Sequence, residues 1–339
     1  MQLIDRITVQ ASGQERDVVF AAGDLSALSA ADGVDLLVVS AFPGDYTPVP
    51  HTLIGALQEK GVSVVALAAD KDVDLRSFSS CWLSKPIDRP DVHFRRILCF
   101  EPGVRGRAPE LVGDLFRSLM PFCGGSPPID TIAMPLLGTG DQGESRPVML
   151  HNIAEAAVQW LENGLPLRQI LVVASNQERA QELAPVFREL KAKLAGRQKI
   201  IQPPRRTYDA FLSYSHREKE QADHLAAALR KASPSINLFI DSLELNPGSA
   251  WQQRIFDALE DCDKVITLLS PSYLASKVCM EEYHIARFRH IQDGDVLLPI
   301  WLSHADLPVF MQTIQWQDAR ESDLLRLGGI GAELGPLFQ

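Results

Sequence analysis

The chain has 339 residues, of which 46% are hydrophobic and 22% charged, a composition typical of a soluble globular protein with about two domains. Its 33 basic and 43 acidic residues give a formal net charge of -10. Sequence-independent nucleic-acid binding needs basic residues to neutralise phosphates, so we expect no nucleic-acid partner. No apolar run reaches the roughly 18 residues of a membrane span, and the first residues do not resemble a signal peptide, so we expect a cytoplasmic protein without a membrane partner.

The cysteines argue against a disulfide framework or a metal site. They are odd in number and scattered, with no C-x-x-C pair, at Cys81, Cys99, Cys123, Cys262 and Cys279. This usage fits a reducing compartment, and we expect no bound metal.

In the N-terminal half, short apolar runs alternate with longer helical patterns. We predict buried strands at residues 36–39, 62–67, 97–100, 132–137 and 170–173. The clearest helix runs from Pro147 to Asn163, with Gly164 as its stop. Continuous apolar strands of this kind suit a mostly parallel sheet that is covered by helices on both faces.

The pattern breaks after Leu194. Gly196 and the Pro203-Pro204-Arg205-Arg206 segment bracket only a short apolar pair. Because proline fixes φ and removes a hydrogen-bond donor, this stretch predicts a connector. We therefore predict domains at residues 1–195 and 207–339, joined by a linker at residues 196–206.

A second strand–helix series follows the linker. The predicted strands are residues 210–213, 238–240, 265–269 and 296–301, and the predicted helices are residues 220–231, 249–262 and 280–290. Ser249 and Gln252 have the spacing of a capping box at the start of the second helix. The order predicts a doubly wound parallel sheet, whose ligands bind beyond the carboxyl ends of the strands. The fold class is therefore α/β, with two domains that each have a mostly parallel sheet flanked by helices.

Four segments of the C-terminal half carry a family resemblance. In chain order they are YDAFLSYSH at residues 208–216, FID with LNPG and Trp251 at residues 239–251, VITLLSPSY at residues 265–273, and SKVCMEE at residues 276–282. Together they resemble the strands and motifs of TIR (Toll/interleukin-1 receptor) domains, which have a flavodoxin-like fold.

The TIR resemblance implies one of two functions. Some TIR domains are scaffolds that recruit other TIR domains, whereas others cleave NAD+ at the nicotinamide–ribose bond and release ADP-ribose or a cyclic isomer. In the enzymes a glutamate follows the cysteine by three residues, which is Glu282 here. Ser213 and Tyr214 lie at the carboxyl end of the first strand, where ligand contacts are expected, and Asp241 either bonds ribose hydroxyls or caps its loop. Trp251 either supplies an aromatic surface for nicotinamide or packs in the core. The resemblance also implies a contact by Cys279, with NAD+ as substrate and no further cofactor.

A carboxylate suits this reaction, because departure of nicotinamide builds positive charge on the ribose. The alternative for Glu282 is a solvated charge near a helix start, and Glu281 is its adjacent competitor. Val278 stands where similar enzymes often have a tryptophan, which keeps the scaffold interpretation open.

Two segments of the N-terminal half carry a second resemblance: Gly23-Asp24 before the strand at residues 35–40, and the strand and loop at residues 131–143. They resemble macro domains, which bind ADP-ribose and related nucleotides. We expect the loop and the helix start after it to hold a diphosphate through Gly138, Thr139, Gly140, Asp141, Gly143 and Arg146. The alternative is that these glycines only close a tight turn. Residues 42–46, Phe-Pro-Gly-Asp-Tyr, replace the asparagine and glycine loop of macro domains, so binding is expected rather than catalysis.

The two resemblances together are typical of a bacterial immune effector. An ADP-ribose-like or cyclic nucleotide signal would bind the N-terminal domain, copies would assemble through their TIR domains, and NAD+ would be consumed. A non-enzymatic adaptor and a TIR enzyme that makes a cyclic ADP-ribose-type signal are the alternatives.

Overall fold

The protein is described from a computed structural model that covers residues 1–11, 13–102, 108–124, 127–138, 145–195, 207–240, 257–320 and 323–338. The chain divides into two compact units, Met1–Lys199 and Ile200–Gln339. The predicted linker at residues 196–206 lies outside the described residues.

The first unit contains eight strands and six helices in its described part. The strands are β1 (Gln2–Ala11), β2 (Gln14–Ala22), β3 (Val34–Ser40), β4 (Lys71–Asp74), β5 (Cys81–Ser84), β6 (Phe94–Phe100), β7 (Thr131–Pro135) and β8 (Gln169–Ala174). The helices are α1 (Leu53–Glu59), α2 (Val64–Ala69), α3 (Arg76–Ser79), α4 (Ala108–Leu119), α5 (Arg146–Glu162) and α6 (Gln177–Ala195).

The sheet of the first unit has the order β1-β2-β8-β7-β3-β6-β5-β4. The five central strands β2, β8, β7, β3 and β6 pair in parallel. At the edges, β1, β5 and β4 pair antiparallel with their neighbours. The central strands carry the buried apolar runs, as β3 shows with Leu36, Leu37, Val38 and Val39 at 0% exposure. Burial on both faces explains why these strands have no polar alternation.

One predicted strand is wrong. Residues 62–67 do not extend, and α2 begins at Val64 because the Ser63 hydroxyl accepts a hydrogen bond from the Ala66 N–H at 3.3 Å. Val64 and Ala68 are buried four residues apart while Val65 is 49% exposed, which is helical periodicity. A serine N-cap therefore outweighs the strand preference of this short valine-rich run.

The second unit has five described strands. They are β9 (Tyr208–Ser213), β10 (Leu238–Ile240), β11 (Cys262–Leu269), β12 (Leu297–Trp301) and β13 (Gln317–Asp318), in the sheet order β10-β9-β11-β12-β13. Every pairing is parallel. The α-helices that lie wholly within the described residues of this unit are α7 (Lys219–Ala232), α8 (Pro271–Ala275), α9 (Lys277–Asp293) and α10 (Leu324–Leu334).

The predicted helix at residues 249–262 is partly outside the described residues, including its capping box at Ser249 and Gln252. Residues 257–260 are helical, but Cys262 opens β11 rather than ending the helix. The buried cysteine pairs with Tyr208 of β9, so it belongs to the sheet.

Alternate residues of β9 and the following Tyr214 face the two sides of the second sheet. Ala210, Leu212 and Tyr214 belong to one apolar cluster, which also contains residues of α7 and α10. Ser213 has the opposite parity, and its side chain bonds to residues of α8 and α9. The candidate site of this unit therefore lies on the α8–α9 side of the sheet.

The fold class predicted from the sequence is confirmed, because each unit has a mostly parallel sheet flanked by helices. Within the described ranges, no helix combines the length and apolar character that crossing a membrane requires.

Candidate functional site

Two capped helices, α8 and α9, position the side chains at the carboxyl edge of the second sheet. Ser270, directly after β11, accepts a hydrogen bond from the Tyr273 N–H at 3.0 Å, and Pro271 starts α8. Ser276 then accepts one from the Cys279 N–H at 3.3 Å and starts α9. The serines in the SPSY and SKVC motifs thus define the two helix starts that place Tyr273 and Glu282.

Glu282 is buried and held by a chain of hydroxyl groups. Its side chain is 5% exposed, and the Ser213 Oγ donates a hydrogen bond to the Glu282 Oε2 at 2.5 Å. The Tyr273 Oη lies 2.7 Å from the same Ser213 Oγ. These contacts exclude the interpretation of Glu282 as a solvated charge.

The donor and acceptor in these two hydrogen bonds follow from the number of hydroxyl protons. Ser213 has one hydroxyl proton and donates it to Glu282, so the Tyr273 hydroxyl must donate to Ser213. Burial raises the pKa of Tyr273 well above its ordinary value, which keeps the phenol protonated and able to donate. Tyr273 is a site residue that the sequence analysis missed, although it belongs to the SPSY motif.

Cys279 lies beside this chain as a neutral thiol. Its Sγ is 3.5 Å from the backbone carbonyl oxygen of Tyr214, to which it donates, and its side chain is 5% exposed. Burial, with a further contribution from the charge of Glu282, raises the pKa of the Cys279 thiol. A buried thiol with a raised pKa fits a packing role beside Glu282.

The structure brings together three of the six residues predicted for this site, Ser213, Cys279 and Glu282. The Tyr214 ring packs in the apolar cluster on the other side of the sheet, and its backbone carbonyl oxygen accepts the hydrogen bond from Cys279. Asp241 and Trp251 lie outside the described residues. We call Ser213, Tyr273, Cys279 and Glu282 the Glu282 site.

A second glutamate lies at the same edge. Glu218 ends the 3-10 turn His216–Glu218 that follows β9, and its N–H donates to the Ser215 carbonyl oxygen at 2.8 Å. The Ser270 Oγ donates to the Glu218 Oε1 at 2.9 Å. The Glu218 Oε2 is buried and has no hydrogen-bond partner among the described residues.

The first unit has a cavity of about 730 Å³ at the carboxyl edge of its sheet. Ser40, Pro135 and Ala174, the last residues of β3, β7 and β8, line it. The size is that of a small-molecule site, and the position is where ligands bind in open α/β sheets. We call this space the N-terminal cavity.

Two of the predicted ligand-binding residues line the N-terminal cavity. Gly138 follows β7 with φ of 73°, a conformation that favours glycine, and Arg146 is the exposed first residue of α5. Thr139, Gly140, Asp141 and Gly143 lie outside the described residues. Arg179 and Asp24 also line the cavity. Arg179 was missed because no motif marks it.

One wall of the cavity is a loop fixed by a buried carboxylate. Phe42, Asp45 and Thr47 line the cavity, and Phe42 is 43% exposed. Glu101, which is 4% exposed, accepts hydrogen bonds from the Tyr46 hydroxyl at 2.6 Å and the Gly44 N–H at 3.0 Å.

Glu101 also accepts a hydrogen bond from the Trp82 Nε1 at 2.6 Å. These hydrogen bonds connect the loop at residues 42–47 to β5. The loop therefore has a defined position in the cavity wall, with the exposed Phe42 ring as part of the lining.

The remaining ionisable side chains of the described residues form no cluster of three or more suited to a metal ion. All five cysteines are buried and unpaired with one another.

Comparison with known families identifies the second unit. Residues 210–327 match the family described as the TIR domain. The C-terminal unit of this protein is therefore a TIR domain, as its four motifs predict.

The similar proteins include a probable enzyme and a receptor. A probable 2' cyclic ADP-D-ribose synthase of Brachypodium distachyon is 29% identical over 103 residues, which are 27% of this chain and 45% of that protein. Toll-like receptor 2 of Ovis aries is 31% identical over 117 residues, which are 33% of this chain and 15% of the receptor. The chain thus spans less than half the length of these relatives.

Among solved structures, a variant of the Oceanobacillus iheyensis macrodomain is similar, with 13% sequence identity and a TM-score of 0.43. It covers 57% of this chain and 98% of the macrodomain.

Proposed function

We propose that the TIR unit cleaves the nicotinamide–ribose bond of NAD+, with Glu282 as the catalytic carboxylate. The observation that carries this proposal is the 2.5 Å hydrogen bond from Ser213 to the buried Glu282 carboxylate, backed by Tyr273. A carboxylate fixed in a buried site needs little reorganisation when positive charge develops next to it. The relationship to a probable cyclic ADP-ribose synthase supports the same chemistry.

The reaction needs few groups from the protein. The C–N bond between ribose and nicotinamide breaks, and its electron pair leaves with nicotinamide, which departs as a neutral molecule. Glu282 stabilises the positive charge that builds on the ribose. Water then captures the ribosyl carbon to give ADP-ribose and a proton, or a nucleophilic group of the same ADP-ribose closes a cyclic isomer.

We further propose that the N-terminal cavity binds an ADP-ribose-like or cyclic nucleotide that regulates the TIR unit. Gly138 allows the backbone to approach a diphosphate closely, and Arg146 and Arg179 supply positive charge at the cavity. The exposed ring of Phe42 provides an aromatic surface for a base or a sugar.

Self-association through TIR units is the third part of the proposal. Copies that assemble could complete one another's sites, which would make NAD+ cleavage depend on protein concentration. Light scattering with a cavity ligand present should then show assemblies larger than a dimer. An undiminished rate from a strictly monomeric form would contradict this part.

The decisive experiment is incubation with NAD+, with and without ADP-ribose derivatives, followed by product analysis. Glu282→Gln should lower the rate about 100- to 1,000-fold, because it removes one preorganised electrostatic partner. Glu281→Gln is a matched control, since Glu281 is also 5% exposed on α9. Turnover that survives Glu282→Gln would show that another group is catalytic.

A scaffold function is the alternative. The relationship to Toll-like receptor 2 favours it, as does Val278 at the position where similar enzymes often carry tryptophan. A wild-type protein that binds TIR partners but shows no NAD+ turnover with any cavity ligand would establish this alternative.

A further inference from the structure

We propose that Glu218 is a second substrate-contacting carboxylate of the TIR unit, whose free oxygen accepts a hydrogen bond from a sugar hydroxyl of the substrate. This inference rests on the proposed cleavage of NAD+ and adds a binding residue to the same site.

The sheet places Glu218 beside the Glu282 site. Thr267 of β11 lies opposite Ser213 of β9 in the parallel register, so the residues after these two strands meet at one edge. Glu218 follows β9 and Ser270 follows β11, and the hydrogen bond between their side chains joins the two strand ends at 2.9 Å. Ser270 also starts α8, which carries Tyr273 of the Glu282 site.

One oxygen of this carboxylate is held and the other is left open. Ser270 occupies the Oε1, while the buried Oε2 has no hydrogen-bond partner in the part of the chain that the structure describes. Among the described residues, the other buried side-chain atoms without a hydrogen-bond partner belong to neutral groups. They are in Gln177, Thr267, Tyr283, His284 and Trp301. An unpaired carboxylate oxygen is costlier to bury than any of these, so a missing donor is the physical explanation.

Ser270 and Tyr273 link Glu218 to the reacting region. The Ser270 Oγ, which donates to Glu218, accepts a hydrogen bond from the Tyr273 N–H at 3.0 Å. The Tyr273 Oη in turn lies 2.7 Å from the Ser213 Oγ that donates to Glu282, so Glu218 is close enough to the Glu282 site to meet the same substrate molecule.

The chemistry of the missing donor follows from the charge of the site. A carboxylate repels the diphosphate of NAD+, but it accepts hydrogen bonds well from the vicinal hydroxyls of a ribose. A hydrogen bond from a ribose hydroxyl would fix the sugar relative to Glu282. Glu218 would thus contribute to substrate binding more than to bond cleavage.

The test is Glu218→Gln, which keeps the shape of the side chain. Glu220→Gln is the matched control, because Glu220 is an exposed glutamate in the first turn of α7. The kcat and KM should be measured with NAD+ and with two analogues, one lacking a hydroxyl on the nicotinamide ribose and one on the adenosine ribose. We expect Glu218→Gln to raise the KM for NAD+ about 10- to 100-fold, the effect of one charge-assisted hydrogen bond, with a smaller change in kcat.

The analogues separate a contact from a structural role. If Glu218 binds a ribose hydroxyl, the analogue that lacks this hydroxyl should have a raised KM with the wild-type protein. The Glu218→Gln substitution should then raise the KM for that analogue little further. Equal losses with all three substrates, together with a lower melting temperature, would overturn the proposal and assign Glu218 to structure or to a bound water.

The two levels of the hypothesis fail differently. A wild-type protein that never turns over NAD+ overturns both the proposed function and the role of Glu218. If Glu282→Gln abolishes turnover but Glu218→Gln behaves like Glu220→Gln, only the role of Glu218 is overturned.

Discussion

Ser213→Ala should separate Tyr273 from Glu282 without changing the carboxylate itself. The substitution removes the hydroxyl that donates to the Glu282 Oε2 at 2.5 Å and accepts from Tyr273 at 2.7 Å. A hydrogen bond to a charged group contributes about 1.5–3 kcal/mol. At about 1.4 kcal/mol for each factor of ten, kcat/KM for NAD+ should fall about 10- to 100-fold.

The assay is nicotinamide release under saturating and limiting NAD+. Ser213→Thr restores the hydroxyl and should recover most of the lost rate, which distinguishes loss of the hydrogen bond from general damage. Thr267→Val is the matched control, because Thr267 is the buried neighbour of Ser213 on β11 and its hydroxyl has no hydrogen-bond partner among the described residues. It should keep the wild-type rate.

A folded Ser213→Ala protein with wild-type kcat and KM would refute this reasoning. It would mean that Glu282 is held well enough by its other surroundings, or that its orientation does not limit the reaction.

Three further predictions concern other parts of the chain. Arg146→Gln should weaken ADP-ribose binding about tenfold by calorimetry, the loss expected for one charged contact. Arg188→Gln should not, because Arg188 is an exposed residue of α6 outside the cavity lining; equal affinities of the two variants would remove Arg146 from the cavity site. Burial, with a smaller effect of a neighbouring arginine, lowers the pKa of His284 from 6.5 to about 3, so the unfolded chain takes up a proton between these values that the folded chain does not. Stability is therefore lost as pH falls below 6.5, by about 2 kcal/mol at pH 5, and urea unfolding of His284→Phe should show a smaller loss than His216→Gln. Limited trypsin digestion should cut within residues 196–206 and leave two folded fragments; cuts inside either unit with this stretch intact would contradict the predicted boundary.

The sequence was sufficient where local pattern and tertiary structure agree. The strand β3 was predicted because burial on both faces leaves a continuous apolar run, and the helix near Pro147 was predicted because burial of one face leaves a helical period. The segment at residues 62–67 was not, since its valines suit a strand and only the Ser63 cap reveals the helix. The antiparallel strand β1 was also missed, because half of its residues face solvent and break the apolar run.

The site was predictable only where a motif marks it. Glu282 and Ser213 were named from the family pattern, and their contact depends on pairing between segments that are 69 residues apart. Tyr273 and Glu218 belong to the same network but were not named, because a hydrogen bond between distant residues has no signature in spacing. Tyr214 shows the opposite error, since the residue next to Ser213 along a strand faces the other side of the sheet.

The parallel pairing of β2 with β8 has a consequence for how the first unit is made. Residues 17–22 of β2 pair with residues 169–174 of β8. During synthesis, β2 therefore cannot form this pairing until almost the whole first unit has been made. The N-terminal cavity is lined by both ends, through Gly23 and Asp24 after β2 and residues 173–175 at the end of β8. Because such distant contacts form late, the cavity should be among the last features to appear as the chain folds. The proposed response to a nucleotide should therefore require a first unit that is complete through β8, because a nascent chain that stops before β8 lacks residues 173–175 of the cavity lining.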